Sequence, residues 1–163
     1  MSRMIDGKWF TEGDIATVSA DGEYQREDSV LRHWIGDGQY PAAPNRYHLY
    51  IAHNCPWAHR TTIFRVLKKL EAVISVSVVK TRRTDQGWVF DGTKYVDDLY
   101  GSASLHEVYR RASSTYSGRV TVPVLFEKET ETIVSNESSE IIRMTNTGCN
   151  ELQEGGEYFY PKN

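Results

Sequence analysis

The chain has 163 residues, 39% of them hydrophobic and 25% charged, a balance that describes one folded domain and excludes a disordered segment. Its net charge of −3 gives no basic footprint for nucleic acid or anionic membrane, and no apolar run approaches the roughly 20 residues that span a bilayer. The opening MSRMIDGKWF lacks the apolar core of a secretory signal, and two cysteines, Cys55 and Cys149, are too few for a disulfide framework. A reducing, cytoplasmic setting is therefore expected, with a single Cys55–Cys149 bridge left open.

Residues 1–45 show little periodicity and are interrupted by Gly13, Gly22, Gly36, Gly38, Pro41 and Pro44. Trp9, Phe10, Tyr24 and Trp34 between them predict an arm packed on the core. From Arg46 the pattern sharpens. RYHLYIAH reads as a strand, and PWAHRTTIFRVLKKL as an amphipathic helix. Trp57, Thr61, Phe64, Val66, Leu67 and Leu70 would face the core, and Arg60, Arg65, Lys68 and Lys69 the solvent. Pro56 suits the first helical turn, where a missing N–H costs nothing. AVISVSVVK then reads as a strand, so the unit is βαβ, with parallel strands and a right-handed crossover. A polar stretch follows, with one helix predicted in SLHEVYRRASS. VTVPVLFEKETETIVS predicts two antiparallel strands joined at Lys128 to Thr130, and NESSEIIRM a helix capped by Asn136 with Glu137 in its first turn. The fold class is α/β, ordered β-α-β, helical insertion, β-β-α. A domain over 46–146 would be followed by a linker or tail over 147–163, marked by Gly148, Gly155 and Gly156.

Three stretches carry chemistry. Cys55 lies between a strand and a helix start, where unpaired N–H groups favour thiolate over thiol. The residue three places on is Ala58, so no adjacent thiol could resolve a mixed disulfide. A buried, inert Cys55 is the alternative. His48, His53 and His59 lack a zinc-site spacing, so no metal is expected; His59 or Arg60 could support the thiolate. In TVPVL, a cis Val122–Pro123 bond would present the Val122 backbone to a ligand, although the residues alone favour a trans proline at a sheet edge. Glu137 and Ser138 at a helix start offer a carboxylate, a hydroxyl and N–H groups, a set complementary to an amino-acid head group, or serving simply as a cap.

Taken together, YHLYIAHNCPWAHRT, GWVF, YSGRVTVPVLF and IVSNESSEIIRM resemble the glutathionyl-hydroquinone reductases, the Xi class of glutathione transferases, and GEYQREDSVLRHWI resembles the arm of that family. The resemblance covers roughly residues 20–146. It implies a thioredoxin-like fold with a mixed four-stranded sheet, glutathione as co-substrate, and Cys55 attacking the sulfur of a glutathionyl-hydroquinone. Hydroquinone would leave, and a second glutathione would release oxidised glutathione from the Cys55 mixed disulfide. By matching position, Val122 beside a cis Pro123 would pair with the cysteinyl part, Glu137 and Ser138 would hold the γ-glutamyl end, and Trp88 and Arg119 would flank the tripeptide. The chain departs from the family at His53-Asn54 before CPWA and at Phe126, where tryptophan is common. Family members continue into a helical domain that supplies the quinone pocket and the dimer interface; that domain would begin where this sequence stops, at Asn163. Two other readings stay open: a monothiol glutaredoxin-like disulfide or dehydroascorbate reductase, and a truncated module that binds glutathione or a partner without turnover. Cys149 is expected to be structural or incidental.

Overall fold

The computed structural model describes residues 2–11, 28–149, 152 and 157–159. Two short strands, β1 (Arg3–Ile5) and β2 (Lys8–Phe10), open the chain. The core follows as β3 (Tyr47–Ile51), α1 (Pro56–Leu67), β4 (Ile74–Val78), α2 (Leu105–Ala112), β5 (Val124–Glu127), β6 (Thr132–Ser135) and α3 (Ser138–Thr147). The four core strands form one mixed sheet in the order β4-β3-β5-β6. β3 runs parallel to β4 and antiparallel to β5, and β5 pairs antiparallel with β6. Every residue of β3 is buried, as befits a strand flanked by neighbours on both edges.

The β1–β2 hairpin is absent from the periodicity reading because its strands are only three residues long. Its signal is the turn: Asp6 and Gly7, both at positive φ (48° and 71°), are the residue pair that a two-residue hairpin favours. Gly7 is also required by space, since a Cβ there would lie 1.9 Å from the Ser114 carbonyl oxygen. The Met4 and Gly118 backbones exchange two hydrogen bonds of 2.9 Å, and the Met4 side chain is fully buried. The Trp9 indole donates to the Asp85 carbonyl at 3.0 Å and stacks on His106. Trp9 and Trp34 pack partly against the core. Phe10 departs from the expectation at 46% exposure, because it alternates away from Trp9 on a short strand. Tyr24, Gly13, Gly22, Gly155 and Gly156 lie outside the described residues.

Helix α1 corrects the predicted orientation. Its buried residues are Ala58 and Thr61, and Lys68, expected in solvent, is 1% exposed. The Lys68 ammonium donates to the Glu157 carbonyl at 2.7 Å. Conversely, Trp57, Val66 and Leu67 are about half exposed, at 51%, 55% and 48%. Small residues on the inner face let α1 approach α3 closely, while the larger apolar side chains form a separate outer stripe. The helix ends at Leu67 rather than Leu70, with Lys69 at φ 51°.

Asn136 does not cap α3. Its side-chain amide donates to the Tyr109 hydroxyl at 3.1 Å, and the N-cap is Glu137, whose carboxylate accepts from the Ser139 N–H at 3.1 Å. The β5–β6 turn is organised by the fully buried Glu127 carboxylate. It accepts from the Glu129 and Thr130 N–H groups at 2.9 and 2.7 Å, from the Thr130 hydroxyl, and from Arg46 Nε at 2.6 Å.

Candidate active site

Four residues separate the end of β3 from α1, and the last of them, Cys55, is the helix N-cap, with Pro56 in the first turn. The Cys55 backbone is fixed at both ends: its N–H donates to the Ala52 carbonyl at 3.1 Å, and its carbonyl accepts from the His59 N–H at 2.9 Å. No side-chain hydrogen bond caps the helix, so the sulfur is not spent on the helix start. It is half-buried and 3.7 Å from the Val122 carbonyl oxygen, to which the thiol donates. The Val122–Pro123 bond is cis, against the trans form that the residues alone favoured. Pro123 itself is buried.

A cavity of about 470 Å³ opens on the thiol. It brings together Cys55, Pro56, Trp88, Arg119 and Val122, and adds Trp57, Thr81 and Arg83. The Arg83 guanidinium lies 5.4 Å from the Trp88 ring centroid, within cation–π range. Arg119 is half-buried, and among the described residues its Nε finds no hydrogen-bond partner. Two arginines thus line the cavity into which the thiol opens, a surrounding suited to a ligand that carries carboxylates.

Glu137 and Ser138 do not line this cavity; they sit at the start of α3. Arg60 of α1 makes the connection. Its Nε and Nη2 donate to the Ser138 hydroxyl oxygen at 3.0 and 2.5 Å, Nη2 lies 3.7 Å from the Glu137 carboxylate, and its guanidinium rests 5.0 Å from the Trp57 centroid. Arg60 therefore engages Ser138, and His59 is exposed.

Two residues escaped the sequence reading. Arg83 carries no local signal beyond its charge. Tyr109 of α2 is fully buried; its hydroxyl donates to the Thr121 carbonyl at 3.0 Å and accepts from the Asn136 amide at 3.1 Å. It ties the segment before Val122 to the segment before Glu137, and its only trace in the sequence is a tyrosine on the inner face of an amphipathic helix.

His48 is fully buried in β3, hydrogen-bonded through Nδ1 to the Ser75 hydroxyl at 2.7 Å, and burial pushes its pKa down to about 4. It is a neutral core residue. Among the described residues no group of three or more His, Cys, Asp or Glu side chains is placed to hold a metal ion. Cys149 is a free thiol, as is Cys55; it is 1% exposed, and burial pushes its pKa up to about 12. It does not line the Cys55 cavity.

The glutathione S-transferase N-terminal domain family matches residues 54–147, from the residue before Cys55 to the end of α3. The chain is 45% identical over 174 residues to the glutathionyl-hydroquinone reductase YqjG of Escherichia coli (strain K12), covering 99% of this chain and 53% of that protein. A Xi class glutathione transferase structure from Natrialba magadii matches with a TM-score of 0.85 at 38% identity, over 99% of this chain and 49% of that one. The glutathione-bound structure of YqjG from Escherichia coli K-12 matches with a TM-score of 0.81 at 42% identity, over 98% and 49% of the two chains. The chain spans about half the length of the curated relatives it matches. It belongs to the glutathione S-transferase family, as an N-terminal thioredoxin-like domain of the Xi class, the class of the glutathionyl-hydroquinone reductases.

Proposed function

We propose that the domain binds glutathione across the Cys55 cavity and uses Cys55 to reduce glutathionyl-hydroquinones. The observation that carries this reading is the placement of one half-buried thiol at a helix start, 3.7 Å from the Val122 carbonyl, in a cavity bordered by Arg83 and Arg119. The Cys55 thiolate attacks the glutathionyl sulfur. A Cys55–glutathione disulfide forms, and the bond from sulfur to the aromatic carbon breaks. Its electron pair stays with that carbon, which takes a proton as hydroquinone leaves. A second glutathione thiolate then attacks the glutathionyl sulfur, freeing Cys55 and releasing oxidised glutathione. An external thiol is needed because Ala58 stands where a resolving cysteine would be and Cys149 is buried elsewhere.

In this reading the Val122 backbone pairs with the cysteinyl unit, and Trp88, Arg83 and Arg119 flank the tripeptide and meet its carboxylate. Glu137 takes the γ-glutamyl ammonium, and Ser138 and the α3 N–H groups take the γ-glutamyl carboxylate. The chemistry belongs to a reducing, cytoplasmic compartment that holds glutathione. Reduction of glutathionyl-menadione by the wild type and by Cys55→Ser tests the proposal. Loss of at least about 1,000-fold is expected, as for removal of a covalent nucleophile; equal rates would refute it. Faster turnover of simple glutathione mixed disulfides than of glutathionyl-hydroquinones would instead favour the glutaredoxin-like reading.

A further inference from the structure

We propose that Arg60 is a positioning residue for the γ-glutamyl end of glutathione, acting by fixing the Ser138 hydroxyl as a hydrogen-bond donor. The inference rests on the reading that Glu137 and Ser138 hold that end. A serine oxygen has two lone pairs and one hydrogen. Arg60 places two N–H donors on this one oxygen, Nε at 3.0 Å and Nη2 at 2.5 Å. With the guanidinium fork on the acceptor side of this oxygen, the hydroxyl hydrogen is turned away from the cation and is free to donate, and the adjacent positive charge strengthens that donation. A donor is what a γ-glutamyl carboxylate requires.

The arrangement is held in place before any ligand arrives. Trp57 supports the guanidinium from one side at 5.0 Å, and the Glu137 carboxylate draws Nη2 from another at 3.7 Å. Glu137 is itself oriented by the Ser139 N–H and hydroxyl, at 3.1 and 3.0 Å. Because Arg60 lies five residues after Cys55 on α1, whereas Ser138 opens α3, the same contact also sets the distance from the nucleophile to the head-group site.

The test compares Arg60→Met, Arg60→Lys, Ser138→Ala and the Arg60→Met/Ser138→Ala pair in the full chain. Glutathione affinity is measured by calorimetry, and thermal melting monitors the fold. The rate at which a Cys55 mixed disulfide is reduced by glutathione and by cysteinylglycine, which lacks the γ-glutamyl unit, is followed in parallel. Arg60→Met and Ser138→Ala should each weaken glutathione about tenfold, as loss of one charge-assisted hydrogen bond does. The pair should weaken it by the same factor and not by the product. Arg60→Lys should recover part of the loss, and cysteinylglycine rates should be unchanged. If Ser138→Ala weakens glutathione and Arg60→Met does not, or if the two losses multiply, Arg60 does not act through Ser138 and the inference is overturned. Equal slowing with cysteinylglycine would reduce Arg60 to a structural role. If Ser138→Ala leaves glutathione affinity unchanged, the head-group reading itself falls, and this inference with it.

Discussion

Ala58→Cys would convert the lone thiol into a dithiol and expose the step that the proposed mechanism assigns to an external thiol. Positions 55 and 58 are the N-cap and the third residue of α1, the spacing of the Cys-X-X-Cys motifs that form disulfides at helix starts. A tethered thiol acts at an effective concentration of about 1 mM or more. With external glutathione held near about 10 µM, the variant should therefore clear a Cys55–glutathione adduct ~100-fold faster than the wild type. The substitution carries a packing penalty, since Ala58 is fully buried and an added sulfur overpacks the inner face of α1 by about 1–3 kcal/mol. Domains of this size lose roughly 2–4 °C per kcal/mol, so melting should fall by about 2–12 °C and the domain should stay folded at 25 °C. The assay is intact mass after brief exposure to oxidised glutathione: an adduct that persists in the wild type, and an adduct replaced by a mass two hydrogens lighter in the variant. An adduct equally long-lived in both folded proteins would refute the claim that Ala58 is what makes the domain depend on an external thiol.

Two further outcomes separate the fold from the site. Glu127→Gln should destabilise the domain by about 3 kcal/mol at neutral pH, the scale of breaking a buried ion pair, without changing glutathione affinity. Burial alone would raise the Glu127 pKa, but hydrogen bonds from the Thr130 hydroxyl, the Glu129 and Thr130 N–H groups and Arg46 outweigh it and hold the carboxyl below its ordinary value of 4.5. A depressed carboxyl contributes stability that is fully present above its unfolded pKa and is lost as pH falls through the folded one. The difference between wild type and Glu127→Gln in urea unfolding should therefore shrink below about pH 4.5, and a gap that is constant into acid would contradict the assignment. Iodoacetamide at neutral pH should add one group to the native protein, at Cys55, and two after unfolding, because burial keeps the Cys149 thiol protonated; two adducts in the native state would refute the burial.

Much of this was legible in the chain because local and tertiary demands coincide. Cys55-Pro56 reads as a helix start because the N-cap and first turn tolerate those residues and few others, and the structure uses them there. The sheet strands read correctly because each is short, rich in β-branched or aromatic residues and bounded by turn residues. Where the reading failed, two signals competed within one segment. In α1 the large apolar side chains suggested the inner face, whereas the tight approach of α3 selected Ala58 and Thr61 and left Trp57, Val66 and Leu67 outward. At α3, Asn136 is the better cap by propensity, yet Tyr109 captures its amide and the capping passes to Glu137. Neither outcome is encoded locally. Both depend on a partner on a different element, 27 residues away in the case of Asn136.

The site itself depends on sheet register, which no single segment of the sequence specifies. Cys55 follows the end of β3, Val122 precedes β5, and Glu137 follows β6. β3 and β5 are antiparallel with Tyr50 opposite Val124, so the start of β5 comes beside the end of β3. β5 and β6 are antiparallel with Leu125 opposite Ser135, which returns the end of β6 to that same edge. Two reversals therefore gather three segments at one end of the sheet, although more than 80 residues separate the first from the last. A one-residue slip of β5 against β3 would invert every side chain of β5 relative to the core and carry Val122 about 3.4 Å along the strand. That is nearly the whole distance between the Cys55 sulfur and the Val122 carbonyl. The pairing of β5 with β3, in a strand buried on both faces, is thus what holds the Cys55 sulfur against the backbone it is proposed to share with glutathione.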